Sequence, residues 1–294
     1  MTAPLASLAA HQLDAFQAVA ETGGFSKAAK RLGVTQPALS QRVQALEGDL
    51  KRRLFVRSPT GVALTDAGAR LLRYCEAKRA LESEVLDDLS VGRPGAVEIA
   101  GTVRVAGFSS IVRSCLLPAF APIVRATQLV VDVQVREMAQ LGAIITQGSA
   151  EIVLLDHVLS RPDVEHRVLG HEQLVLVEST LEEARADVYL DHDADDETTL
   201  KFLAKNGHKT RWLRRSFFDD IYGVIDAAAL GLGRAVVPRH LLNSHPAAKD
   251  LRVVAKMRGI KSPVVMHWPR QPSYTRAHEA VRGLVEKIVP TMLS

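Results

Sequence analysis

The stretch Leu32-Gly-Val-Thr-Gln-Pro-Ala-Leu-Ser-Gln-Arg-Val-Gln-Ala-Leu-Glu47 decides how this chain is read. Gly33 stops one short helix, and Thr35, Gln36 and Pro37 open the next, since proline is tolerated in a first turn whose N–H groups are unpaired anyway. Leu39, Val43, Leu46 and Leu50 follow at steps of 4, 3 and 4 and gather in a narrow arc at 100° per residue. Pro37, Ser40, Gln41 and Gln44 then face the other way. Such a helix buries its leucines and presents small and amide side chains outward. Small residues let a helix sink into the major groove, glutamine can bond bidentately to an adenine edge, and serine can bond to several bases.

Working outward, Leu13, Phe16 and Ala20 form a helical stripe closed by Gly23-Gly24, and Ser26 is expected to cap a short helix that runs to Leu32. Two short helices joined by a tight turn are the layout of a helix-turn-helix. Downstream, Leu54–Arg57 and Gly61–Leu64 read as a β-hairpin wing around Ser58-Pro-Thr-Gly61. Between Ser26 and Arg57 there are eight cations (Lys27, Lys30, Arg31, Arg42, Lys51, Arg52, Arg53, Arg57) against two anions (Glu47, Asp49). A surplus of positive charge confined to one short segment is the footprint of a module that lies on phosphate backbone, and Arg57 could reach a phosphate with its forked guanidinium.

Gly24-Phe-Ser-Lys-Ala-Ala29, Leu32 to Gln41, Leu46-Glu47, Leu54-Phe55, Arg57 and Leu64-Thr-Asp-Ala-Gly68 together resemble the winged helix-turn-helix of LysR-type transcriptional regulators. The resemblance implies that Gln36, Pro37, Ser40 and Gln41 meet the groove, with Arg42 next to them, and that Ser26 and Arg57 help hold the backbone. One departure is Gln41, where many members of the family place arginine.

Thr65 can cap a fourth helix that runs to about Leu89 before Gly92-Arg-Pro-Gly95 breaks it. Leu71, Tyr74, Lys78, Leu81 and Val85 follow 3, 4, 3, 4 spacing, the seam of a two-helix coil. The resemblance favours a homodimer through this helix, assembled further into a homotetramer. Two recognition helices would then require a partly palindromic stretch of double-stranded promoter DNA. Cys75, near the seam, reads as a small apolar filler.

From Thr102 short apolar runs alternate with helical patterns, which argues for an α/β domain with a largely parallel sheet. In such sheets ligands sit beyond the carboxyl ends of the strands, and Phe108-Ser-Ser110, after the first strand, is the best candidate of this kind. Val105–Ser110 with Leu117-Pro118, Gly148–Asp156 and Ala228–Pro238 resemble the effector domain of the same family, which is similar to a two-lobed periplasmic solute-binding protein. The resemblance implies that Ser109, Ser110, Met138, Thr198 and Phe218 line a cleft for a small-molecule effector. The acidic run Asp191-His-Asp-Ala-Asp-Asp-Glu197 draws a cationic effector such as a basic amino acid, or is a solvated loop with helix-capping carboxylates. Both readings stand at this point.

The expected organisation is α/β overall: a winged helix-turn-helix over residues 1–64, a linker helix over 65–90 and a hinge over 91–101. A periplasmic-binding-protein-like effector domain follows over 102–294, with lobe I formed by 102–165 and 267–294 and lobe II by 166–266. Over 294 residues, 47% hydrophobic and 24% charged, the composition excludes disordered and collagen-like classes. Cys75 and Cys115 are too few for a disulfide framework or a four-thiolate zinc site, and no run approaches the length of a membrane span, so a cytoplasmic protein is expected. The ten histidines are dispersed without H-E-x-x-H or C-x-x-C spacing, no P-loop or G-x-S-x-G elbow occurs, and Gly231-Leu-Gly233 precedes a strand rather than opening a helix. No catalytic set, metal, cofactor or redox role is expected. The resulting expectation is a DNA-binding regulator whose promoter contacts respond to an effector, an amino acid among the candidates, with RNA polymerase as a further partner. Its rival is a solute-binding module without regulatory DNA binding, against which the basic segment and its helix pattern argue.

Overall fold

The computed structural model describes residues 8–58, 61–89, 99–255 and 257–293. The chain divides into two compact units, Met1–Pro94 and Gly95–Ser294. The first is built from α1 (Ala10–Thr22), α2 (Phe25–Leu32), α3 (Gln36–Leu50), the antiparallel hairpin β1 (Phe55–Ser58) and β2 (Gly61–Leu64), and α4 (Asp66–Leu89). Gly23 and Gly33 end α1 and α2 in the left-handed region, at φ 70° and 66°, a conformation that glycine reaches without Cβ strain. The expected cap at Ser26 is corrected: Gly24 occupies the N-cap, and Ser26 lies exposed within the first turn of α2. Thr65 does cap α4, accepting from the Gly68 N–H at 3.0 Å.

Phe16, Leu46, Leu54, Leu71 and Cys75 share one buried cluster, and Ala15, Val19, Ala29, Leu39 and Val43 form another. The Phe55 ring lies between them, 5.2 Å from Phe16 and 5.9 Å from Phe25. Leu71, expected on the dimer seam, is therefore spent on the unit's own core. Farther along α4, Tyr74, Val85, Leu86 and Leu89 remain exposed. Of the expected hinge, residues 91–98 lie outside the described residues and Ala100-Gly101 already belong to a strand.

That strand, β3 (Ala100–Gly107), opens the second unit and leads into a continuous helical stretch of α5 (Ser109–Ile111), a π turn (Val112–Leu116) and α6 (Leu117–Ala126). Pro118 has no N–H to offer the carbonyl of Ser114, and the Leu117 N–H reaches back to Val112, widening the turn. There follow β4 (Gln128–Val135), α7 (Met138–Thr146), β5 (Ile152–Leu155), β6 (Val164–Ser179), β7 (Val188–Asp191), α8 (Thr198–Lys205), β8 (Arg214–Phe217) and α9 (Ile221–Ala229). The chain closes with β9 (Arg234–Pro238), α10 (Arg239–Leu242), a 3-10 turn (Pro246–Asp250), β10 (Leu251–Val253), β11 (Ile260–Pro269) and α11 (Arg276–Met292).

The sheet order is β4-β3-β5-β11-β6-β9-β7-β8, with β10 beside β6. β3, β4 and β5 are mutually parallel, as are β7, β8 and β9, whereas β6 and β11 run antiparallel through the middle over ten paired positions with a bulge at Val264/Val265. These two long strands join the lobes, and the expected boundaries at 165/166 and 266/267 fall inside them. Strand alternation builds a core on each face. In lobe I, Val103 and Val105 pack with Val281 and Val285 of α11, while Ala106 and Val153 pack with Leu141 and Ile145 of α7. In lobe II, Val175 and Val177 meet α9, and Leu176 meets Phe202 and Leu203 of α8.

Candidate functional site

In the first unit, Thr35 accepts from the Ala38 N–H at 3.4 Å and sets the start of α3. Leu39, Val43 and Leu46 are buried, Gln36, Pro37, Gln41 and Gln44 are exposed, and Ser40 and Arg42 are half-buried. The helix therefore offers amides outward, as its spacing predicts. Of the cations around it, Arg31 is held by Glu21 at 2.6 Å and Arg53 by Glu47 at 2.9 Å. Glu47 also accepts from the Leu54 N–H at 2.7 Å, tying the end of α3 to the start of the wing. Lys27, Lys30, Lys51 and Arg52 are exposed and make no ion pair among the described residues. Arg57 lies in β1 opposite Val62; its side chain lies outside the described residues.

In the second unit, Ser109 and Ser110 open α5 just beyond the carboxyl end of β3. Ser109 is half-buried, and Ser110 is buried and donates its hydroxyl to Glu172 Oε1 at 2.9 Å. Glu172 lies on β6. The same Oε1 stands 2.7 Å from His240 Nε2, on α10 of lobe II, and His240 Nδ1 stands 2.9 Å from Ser114 Oγ in the π turn. All four side chains are buried, which closes a polar bridge from lobe I through the crossing strand to lobe II.

Two further contacts span the lobes. The Arg113 guanidinium stacks over the Tyr222 ring at 3.6 Å and lies 3.9 Å from Asp220, while Glu137 faces His192 at 3.9 Å. Burial pushes the Tyr222 phenol up to about 12, and its hydroxyl is buried with no hydrogen-bond partner among the described residues. Burial likewise raises the Cys115 thiol to about 11, which keeps it protonated and unreactive near neutral pH.

The other expected cleft residues are occupied differently. Met138 packs against the α7 core of lobe I and Phe218 against the α9 core of lobe II, both half-buried, while the Thr198 N–H is fixed by Asp196 at 2.8 Å as α8 begins. The structure thus brings Ser110 into the polar bridge and leaves these three outside it. In the acidic run Asp191, Asp193, Asp196 and Glu197 are each held by a neighbouring group, Glu197 by Lys201 at 2.9 Å. Asp191 is buried against Arg215 at 2.5 Å and takes the Thr199 hydroxyl, and Asp193 accepts from the N–H groups of Asp195 and Asp196 at 2.8 Å.

Arg113, Ser114, Glu172, Tyr222 and His240 were not singled out by the sequence. Their partners lie 62 to 126 positions apart, so no spacing rule connects them. Among the described residues no group of three or more His, Cys, Asp or Glu could hold a metal ion, and no helix is long and apolar enough to cross a membrane.

The chain thus joins a winged helix-turn-helix with amides on its exposed helix to a two-lobed α/β unit. Residues 10–69 match the model of the bacterial regulatory helix-turn-helix protein, lysR family, and residues 96–288 match the LysR substrate binding domain. The chain belongs to the LysR family. It is 30% identical over 168 residues to the transcriptional regulator ShiR of Corynebacterium glutamicum, an alignment covering 56% of each chain, so it spans only about half the length of that relative. Its fold is similar to that of ArgP from Mycobacterium tuberculosis, with a TM-score of 0.70, 22% identity and 98% of each chain covered. It is also similar to LysG from Corynebacterium glutamicum solved with bound effector Arg, with a TM-score of 0.66, 18% identity and coverage of 95% of this chain and 97% of that one. Homologues and families of this kind are transcriptional regulators, not enzymes.

Proposed function

We propose that the protein is a transcriptional regulator that reads promoter DNA through α3 and responds to a small molecule held between the lobes of its second unit. The observation that carries this reading is α3 itself, with Leu39, Val43 and Leu46 buried and Gln36, Pro37, Gln41 and Gln44 outward beside exposed cations. Gln36, Pro37, Ser40, Gln41 and Arg42 face the groove in this reading, and Ser26 and Arg57 hold phosphate. Phosphate contacts supply affinity on any sequence, whereas base-edge contacts supply discrimination.

The expected domain division, a winged unit followed by a linker helix and an effector domain, belongs to this proposal. So does pairing through α4 into a dimer and then a tetramer, which places two copies of α3 on a partly palindromic site. Lobes held by buried hydrogen bonds give the effector something to compete with. A ligand that prefers one lobe arrangement shifts the population toward it and alters how the paired DNA-binding units meet the promoter, and with it DNA bending and access of RNA polymerase. The effector is a small polar metabolite, with amino acids the leading class.

A gel shift with the DNA upstream of the chain's own gene tests the reading. Gln36→Ala is expected to cost roughly 1–3 kcal/mol on the specific duplex and little on a random one. Equal loss on both duplexes would mean that Gln36 reads no base.

A further inference from the structure

We infer that lobe II carries a docking site for an acidic segment of another protein, built from Trp212 and the cations Lys205, Lys209, Arg211 and Arg258. The site uses neither α3 nor the contacts between the lobes, so the inference stands apart from the regulator reading.

Between Thr198 and Phe218 the chain has six lysines and arginines and no aspartate or glutamate. Three of the six are answered from outside the stretch: Lys201 by Glu197 at 2.9 Å, Arg214 by Asp187 at 2.7 Å and Arg215 by Asp191 at 2.5 Å. Lys205, Lys209 and Arg211 are exposed and make no ion pair among the described residues. Arg258 joins them. The Asn206 side chain donates to the Arg258 carbonyl at 3.0 Å and accepts from its N–H at 2.6 Å, which fixes a fourth exposed cation beside the end of α8.

Trp212 is the second observation. It is 85% exposed, whereas the chain's other tryptophan, Trp268, is 7% exposed. An indole left in water forfeits the burial of a large apolar surface. The loop that presents it is anchored on both sides: the His208 N–H bonds the Leu203 carbonyl at 3.0 Å, and Leu213 packs against the cluster of Leu176, Phe202 and Leu203. The Arg211 guanidinium stands 5.5 Å from the Trp212 ring centroid, within reach of a cation–π contact. Tryptophan and arginine are the side chains enriched at protein interfaces and at their energetic centres, and an anchored loop lowers the cost of binding.

The location separates this surface from the effector. β7 and β8 are parallel, and their carboxyl ends lead to His192 and Asp220, which meet Glu137 and Arg113 of lobe I at 3.9 Å. Trp212 precedes β8 and so lies at the opposite end of these strands. The chemistry then selects a polypeptide among anionic partners. Duplex DNA keeps its base faces stacked on one another, and indole stacking belongs to single strands. Glu182 and Glu183, exposed in the segment that leads into the same end of β7, repel an extended phosphate surface, whether of a nucleic acid or of a membrane. A short run of carboxylates carrying an apolar side chain answers the cations and covers the ring without reaching those glutamates.

Acrylamide quenching of tryptophan fluorescence in the full chain tests the assignment, since Trp212 supplies the accessible signal. The probes are a short synthetic peptide of glutamates interrupted by leucines, its counterpart with lysines for glutamates, random-sequence DNA as single strand and as duplex, and phosphatidylglycerol vesicles. The glutamate peptide is expected to protect Trp212 at submillimolar concentration and to lose that protection at high salt. With the peptide labelled and followed by anisotropy, Arg211→Glu and Trp212→Ala should each weaken binding roughly tenfold or more, while Arg125→Glu, which reverses an exposed cation of lobe I, should leave it unchanged. The assignment is overturned if the peptide neither binds nor protects at millimolar concentration, if the lysine peptide, DNA or vesicles protect Trp212 more strongly, or if Arg211→Glu binds as the wild type does. Protection that rises with protein concentration in the absence of any probe would also overturn it, by showing that a second copy covers the ring.

Discussion

His278, at the start of α11, is buried and stacked on the Tyr274 ring at 4.7 Å. Burial lowers it to about 4, and His267 on β11, also buried, is lowered to about 4 for the same reason. A histidine with a depressed folded value binds its proton more readily in the unfolded chain. Stability is therefore intact above the ordinary value near 6.5 and falls as pH drops from there toward 4. Each group accounts for at most on the order of 3 kcal/mol across that window. Thermal unfolding followed from pH 7 to 4 is expected to show a shallower decline for His278→Leu than for the wild type; superimposable profiles would remove His278 from the account. Single residues of this kind are poorly legible in a sequence, because burial is decided by distant elements. Gln36 and Gln41 could be read because their neighbours one helical turn away fix their direction, whereas Glu172 and His240 acquire meaning only once β6 and α10 are folded side by side.

At the scale of elements, the join between wing and α4 is the tightest passage in the first unit. A Cβ on Gly68 would stand 2.1 Å from the Leu54 carbonyl oxygen and 2.9 Å from Leu64 Cδ2, so the first turn of α4 can lie there only without a side chain. Gly68→Ala should destabilise the winged unit by roughly 1–3 kcal/mol, read as an earlier unfolding transition and weaker binding to both specific and random DNA. A variant as stable as the wild type would show that the turn can shift without penalty. Helices α1 to α4 and the wing were legible because capping residues and periodicity are local signals. β8 and β10 were not. β8 reads Arg-Arg-Ser-Phe and has no apolar alternation; it forms a strand because it pairs with β7, where Arg214 and Arg215 find Asp187 and Asp191 at 2.7 and 2.5 Å. Leu71 shows the opposite limit, for a 3-4 stripe announces a covered face without saying what covers it.

For the whole molecule, the exposed stretch of α4 sets the expectation of assembly. Val85 and Leu86 are 55% and 65% exposed, too much apolar surface on one helix end to be explained by the unit's own core. Replacing both with Asp is expected to shift sedimentation at micromolar concentration to a smaller species and to weaken binding to a two-half-site duplex far more than to a single half-site. A wild type that already sediments as a monomer would refute pairing through this surface. The alternation of apolar runs and helical patterns pointed only to an α/β domain, and the two lobes came from the family resemblance alone; the antiparallel pairing of β6 and β11 through the middle of the sheet has no signature in the spacing of residues. That pairing governs how the protein is made. Lobe II is inserted between the strands of lobe I, whose β11 and α11 emerge from the ribosome only after lobe II, so of the two lobes the one begun first is completed second. A chain cut at Gly259 keeps nearly all of lobe II yet deprives lobe I of a central strand, β11, and its covering helix, α11.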